Sequence, residues 1–180
     1  MNNTDQRIRL LRDVDANMVP SGDKVTLAEG NIVQITQSLG GNYTVIINGN
    51  MAQINADNAD ALGLKVEKTD NPSTSSDFSE KLVWDQLKTC YDPEIPVNIV
   101  ELGLIYDLSI NDAENGDKNV VIMMTLTAPG CGMGPVIADE VDRKVSALNN
   151  VESVKVELVW EPQWNQGMMS EAAQLELGMF

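Results

Sequence analysis

Histidine is absent from this chain of 180 residues. Its absence excludes Ser-His-Asp and Cys-His catalysis, imidazole zinc sites and imidazole proton shuttles. Cysteine is scarce: Cys90 and Cys131 are too few for a disulfide scaffold or a four-cysteine metal site within one chain, form no CxxC motif, and suit a reducing compartment. Long apolar runs are also missing. The longest strictly apolar stretch is the five residues 120–124, against about 18 for a membrane helix. Residues 1–10 lack a basic segment leading into an apolar one, so a cytoplasmic protein is expected. Basic residues are few as well, 12 Lys and Arg against 27 Asp and Glu, for a net charge of −15. A surface of that sign repels phosphate backbones and anionic membranes, so neither nucleic acid nor membrane is an expected partner.

What is present is ordinary for a folded chain, with 43% hydrophobic and 22% charged residues. The acidity is uneven. Residues 1–76 hold six basic and nine acidic side chains, and residues 77–180 hold six and eighteen, which points to two units. Most simply this charge serves solubility; the alternative is a dedicated basic partner. Residues 24–54 read as short β segments punctuated by Glu29-Gly30-Asn31, Gly40-Gly41 and Asn48-Gly49-Asn50, the signature of a small β-meander. Residues 69–76 combine Pro, Asn and Ser with no apolar side chain, a linker composition. The expected organisation is a β-rich unit over 1–68, a linker over 69–76 and a second domain over 77–180.

Within that second domain, Asp77 followed by Glu80 has capping-box spacing and predicts a helix over 78–90, ended by Pro93 and Pro96. Strands are predicted over 104–110, 119–127 and 154–160. The middle one carries apolar residues on both faces and is expected to be central and covered on both sides. It runs through Ala128-Pro129-Gly130-Cys131-Gly132-Met133-Gly134 into a helix over 135–148 with Ile137, Val141, Val145 and Leu148 on one face. A short last helix starts after Ser170 and ends before Gly178. The fold class is α+β, a small two-layer α/β sandwich whose mixed sheet carries helices on one face, preceded by the β-rich unit.

Cys131 is the residue that most invites chemistry, because it lies between a buried strand and a helix start, where unpaired amides and the helix dipole favour an anion. Gly130 and Gly132 beside it let backbone approach a ligand or adopt positive φ, or simply turn the chain. The loop lacks the Gly-Lys-Ser/Thr ending of a nucleotide loop. Cys90 lies on the apolar side of its helix beside Leu87 and can pack with no chemistry at all. Asp92 and Glu94, in a proline-stiffened loop, can supply hard oxygen ligands, or cap a turn and face solvent. Met123, Met124 and Met133 read as core filler before soft ligands, and Trp160 and Trp164 as packing or interface anchors.

The motifs YDPEIP at 91–96, LGLIYD at 102–107, TAPGC at 127–131 and VELVWEP at 156–162, in that order, resemble the metal-sulfur cluster assembly domain shared by SufT, PaaD-like proteins and cytosolic iron-sulfur targeting factors. The resemblance covers residues 77–180. Trp164, residues 169–178 and the Thr36–Gly41 stretch are similar to the long, SufT-type members. It implies a small α/β sandwich and a helper in iron-sulfur protein maturation that carries a cluster or brings client apoproteins to the assembly machinery. It also implies roles for Cys131 as the family's singular cysteine and for Asp92 and Glu94 as its DPE carboxylates. Gly132 departs from the pattern, standing where many relatives have Pro.

An iron-sulfur cluster wants about four thiolate-type ligands, and one chain offers two cysteines and no histidine. A bound cluster or iron is therefore expected to be labile and shared, between two copies in a homodimer or between one chain and a client, with Cys90, a carboxylate or a small thiol completing the set. The competing classes are a cluster-free adaptor that recognises clients through its acidic face and aromatic loop, and a thiol enzyme with Cys131 as nucleophile. Saturable, Cys131-dependent turnover with a peroxide or thioester identifies the enzyme; client capture by a Cys131→Ala variant identifies the adaptor.

Overall fold

A computed structural model describes residues 6–66 and 77–179. These fall into two compact units: residues 6–66 with the loop tips Pro93–Pro96 and Cys131–Met133, and residues 77–92, 97–130 and 134–179. The expected linker over 69–76 lies outside the described residues.

The first unit is a six-stranded antiparallel sheet built from β1 (Arg7–Arg9), β2 (Val14–Val19), β3 (Lys24–Leu27), β4 (Ile32–Leu39), β5 (Asn42–Ile47) and β6 (Asn50–Ile54), in the order β1-β4-β5-β6-β2-β3. Asn48 and Gly49 both take positive φ, 49° and 80°, and close the β5–β6 hairpin with Ile47 paired to Asn50. A two-residue turn of this hand matches the twist of its flanking strands, and Asn-Gly is the pair that tolerates it. Alternating Val33, Ile35, Val45, Ile47, Ala52 and Ile54 form the buried face with Leu10 and Leu62. The sheet is thus larger than the meander expected over 24–54: β1 and β2 come from residues 7–19, and β2 inserts between β6 and β3. Their signals are weak, since Ile8 stands between two arginines and the buried face of β2 includes Ala16.

The second unit contains α1 (Glu80–Leu87), β7 (Ile105–Asp112), β8 (Lys118–Met124), α2 (Gly134–Ser146), β9 (Val151–Leu158) and α3 (Glu171–Glu176). The hairpin partners β7 and β8 are antiparallel, whereas β8 and β9, joined through α2, are parallel. The result is the expected mixed sheet with β8 at its centre. Ile137, Val141, Val145 and Leu148 are all buried, as their helical spacing predicts. Only one face of β8 is closed: Val120, Ile122 and Met124 are buried, while Val121 and Met123 remain half-exposed. Helix α2 packs on β9 and α1 on α2, so the helical layer lies on one side, and the opposite face of β8 is half-exposed. Ser79, not Asp77, caps α1, accepting from the Leu82 amide. Ser170 caps α3 as expected, accepting from the Ala173 amide.

The C-terminal segment is tied to the turn before β7 and to the start of β7 itself. The Trp164 indole donates to the Leu102 carbonyl at 2.7 Å, the Tyr106 hydroxyl to the Pro162 carbonyl at 2.7 Å, and the Ser170 amide to the Glu101 carbonyl at 2.8 Å. Trp164 is therefore an internal anchor, whereas Trp160 is exposed.

Candidate functional site

After β8 the chain stays buried through Thr125 and Leu126, emerges at Ala128, Pro129 and Gly130, and re-enters at Met133 to start α2 at Gly134. Cys131 sits on this loop, half-buried. Within the first unit its Sγ lies 3.9 Å from the Pro20 carbonyl oxygen, the geometry of a weak S–H donor. The two flanking glycines have different reasons. Gly130 takes φ +76° with open space where a Cβ would go, so the backbone turn requires it. At Gly132 an added Cβ would stand 1.6 Å from the Ser21 carbonyl oxygen, so close approach of another backbone requires it. A proline here would place its ring carbon on that oxygen.

Cys90 is placed differently. It follows α1, is 0% exposed, and its thiol donates to the Gln86 carbonyl at 3.7 Å. Burial pushes the thiol up to about 12, with the nearby Glu140 carboxylate adding to the shift. Since thiolates are the metal ligands and nucleophiles, Cys90 is held in the inert form. Next to it, Lys144 pairs with the buried Glu140 at 2.9 Å and donates to the Thr89 carbonyl at 2.7 Å. This link has no local signature, because nothing in the chain between them joins residue 89 to residue 144.

Asp92 is buried, and its amide faces the Val97 carbonyl at 3.5 Å across a loop closed by the Tyr91–Asn98 bridge. The Asn98 side chain accepts from the Val100 and Glu101 amides and sets the following turn. Glu94 is exposed; beside it, the Thr44 hydroxyl donates to the Pro93 carbonyl at 3.2 Å within the first unit. Glu94, Cys131 and Gly132 thus belong to the first unit, and Cys90, Asp92 and Gly130 to the second. Met124 and Met133 are fully buried and act as core, with Met123 half-exposed. Among the described residues no group of three or more Cys, Asp or Glu side chains is arranged to hold a metal ion. None of the helices among those residues is long and apolar enough to cross a membrane.

Residues 80–158 match a family described as iron-sulfur cluster assembly protein. The chain is 46% identical over 100 residues to a Porphyromonas gingivalis protein named Fe-S protein maturation auxiliary factor, covering 91% of that protein and 56% of this chain. The chain belongs to this family. It is also similar to the Fe-S protein maturation auxiliary factor YitW of Bacillus subtilis, 40% identical over 87% of that protein and 52% of this chain. A third relative, the Fe-S protein maturation auxiliary factor SufT of Staphylococcus aureus, is 38% identical over 96% of its length and 49% of this chain. The family span holds Cys90, Asp92, Glu94, Gly130, Cys131 and Gly132, whereas β1–β6 lie wholly outside it.

Proposed function

We propose that this chain is an auxiliary factor in iron-sulfur protein maturation and that it works through Cys131. The observation that carries the reading is the contrast between the two thiols: Cys131 is half-exposed on the loop between β8 and α2 inside the family span, while Cys90 is sealed in the core. A cluster or iron ion is cargo here. With one accessible thiol per chain, cargo held by about four thiolate-type ligands must be shared, either by two copies of this chain or with a client apoprotein, and is therefore labile. Asp92 and Glu94 are the proposed oxygen donors toward iron, and Gly130 and Gly132 shape the loop that presents the sulfur. The partners are the assembly machinery and its clients in the cytoplasm, and the role is delivery, not turnover of a metabolite. The working domain spans 77–180, preceded by the linker at 69–76 and the β-rich unit at 1–68.

Anaerobic reconstitution with iron and sulfide tests the reading, followed by absorption, Mössbauer spectra and mass of the wild type, Cys131→Ala and Cys90→Ala. Visible absorption that Cys131→Ala abolishes and Cys90→Ala retains is the expected result. An unchanged spectrum in Cys131→Ala overturns the carrier role. No cluster in the wild type, under conditions that load a control scaffold, leaves client binding without cargo, to be measured by capture of apoproteins.

A further inference from the structure

Three backbone groups crowd the Cys131 loop within the first unit. The Pro20 carbonyl faces the thiol. The Ser21 carbonyl fills the space where Gly132 would carry a Cβ, and reciprocally a Cβ on Gly22 would stand 1.9 Å from the Gly132 carbonyl oxygen. Both distances are far below any real Cβ contact, so two glycines meet here with no side chain between them. We propose that the Pro20–Gly22 turn is a displaceable cover on the Cys131 thiol, closed over the free thiol and released when the sulfur is ligated. The proposal rests on Cys131 being the working thiol.

The turn is built to move as one piece. The Met18 amide bonds the Asp23 carbonyl at 2.8 Å, and the Gly22 amide bonds the Met18 carbonyl at 2.7 Å, so the tip is internally fixed. The β3 strand that follows it is an edge strand with a neighbour on one side only. Among the described residues the polar tie to the loop is an S–H bond at 3.9 Å, among the weakest kinds of hydrogen bond. When a soft metal ion binds, an S–metal bond replaces the S–H bond and the proton passes to water. The Pro20 oxygen then faces an electron-rich sulfur with no hydrogen to offer, and the closed state loses its tie. By linkage, whatever loosens the turn must favour ligation by the same factor.

Alkylation of the intact chain by iodoacetamide, mapped to Cys131 by peptide mass, reads the cover directly, with a synthetic peptide of residues 126–134 as the open reference. Wild type should react several-fold more slowly than the peptide, and Gly22→Ala and Gly132→Ala, which force the two backbones apart, should each react several-fold faster than wild type. Both variants should also bind Cd²⁺ more tightly, followed by sulfur-to-cadmium absorption. A wild-type rate equal to that of the peptide overturns the cover even if neither variant folds. Slow alkylation that folded variants of both glycines leave unchanged overturns the role of the turn. Neither readout involves an iron-sulfur cluster, so a failure of cluster loading and a failure of the cover are separately visible.

Discussion

The two cysteines of this chain stand in different surroundings. Cys90 is completely buried with its thiol held near 12, while Cys131 is half-exposed on a loop. Native alkylation should therefore modify Cys131 and spare Cys90, and both should react in denaturant; a Cys90 adduct in the folded protein would contradict its burial. The same shift fixes a pH dependence. In the unfolded chain the Cys90 thiol ionises near its ordinary value of 9.0, whereas in the folded chain it stays protonated to about 12. Between those values the unfolded state holds fewer protons, so stability is full below about pH 9 and falls as pH rises toward 12. The limiting slope for one group is about 1.4 kcal/mol per pH unit. Denaturant midpoints of wild type and Cys90→Ala measured from pH 8 to 11 should converge and then cross as pH rises, with the variant starting about 1–2 kcal/mol lower for its lost packing. Parallel curves would contradict the assignment. The loop position of Cys131 between β8 and α2 was legible in the sequence because glycines surround it. For Cys90 the sequence left packing and ligation both open, since burial depends on which face of α1 meets α2.

At the scale of elements, periodicity served best where one element buries one face. Helix α2 is legible in its spacing because Ile137, Val141 and Val145 repeat at the helical period against a single partner layer, whereas β8, apolar on both faces, suggests cover on both sides although only Val120, Ile122 and Met124 are buried. The start of α1 is ambiguous in the sequence because Asp77 and Ser79 both offer a capping oxygen; only the Leu82 amide, which Ser79 satisfies, selects between them. Strands β1 and β2 leave no local signature because their partners are remote, β1 pairing with residues 32–34 and β2 with both 24–27 and 51–53. The tie between α1 and α2 is equally nonlocal. Lys144 neutralises the buried Glu140 carboxylate and also satisfies the Thr89 carbonyl beyond the end of α1. Removing the ammonium leaves a buried charge behind, which costs more than the pair contributes. Lys144→Met should lower unfolding free energy by about 3 kcal/mol. Adding Glu140→Leu should recover much of that loss. Equal stability of single and double variants in urea denaturation would show that the pair is not coupled.

For the whole chain the governing quantity is charge, 27 acidic side chains against 12 basic. Several of the basic groups are already committed to exposed pairs, such as Arg12 with Asp60 and Lys81 with Asp85. Asp60 is held below the ordinary carboxylate range, first by its hydrogen bond from Arg12. Exposed pairs of this kind contribute little and weaken in salt. The unpaired carboxylates repel one another over the Debye length, about 10 Å at 0.1 M salt, and that repulsion weakens as well. The two effects oppose each other. Repulsion has the larger share, because the excess of fifteen negative charges cannot be matched by local partners. The melting temperature should therefore rise between 10 mM and 500 mM sodium chloride at pH 7, by calorimetry or circular dichroism. A fall would mean that the ion pairs outweigh the repulsion. The same screening acts on binding: a client that approaches through basic residues should associate more slowly as salt rises, with a smaller change in dissociation. Stability and client capture are thus expected to move in opposite directions on one salt axis, and measuring both on the same preparation separates loss of fold from loss of steering.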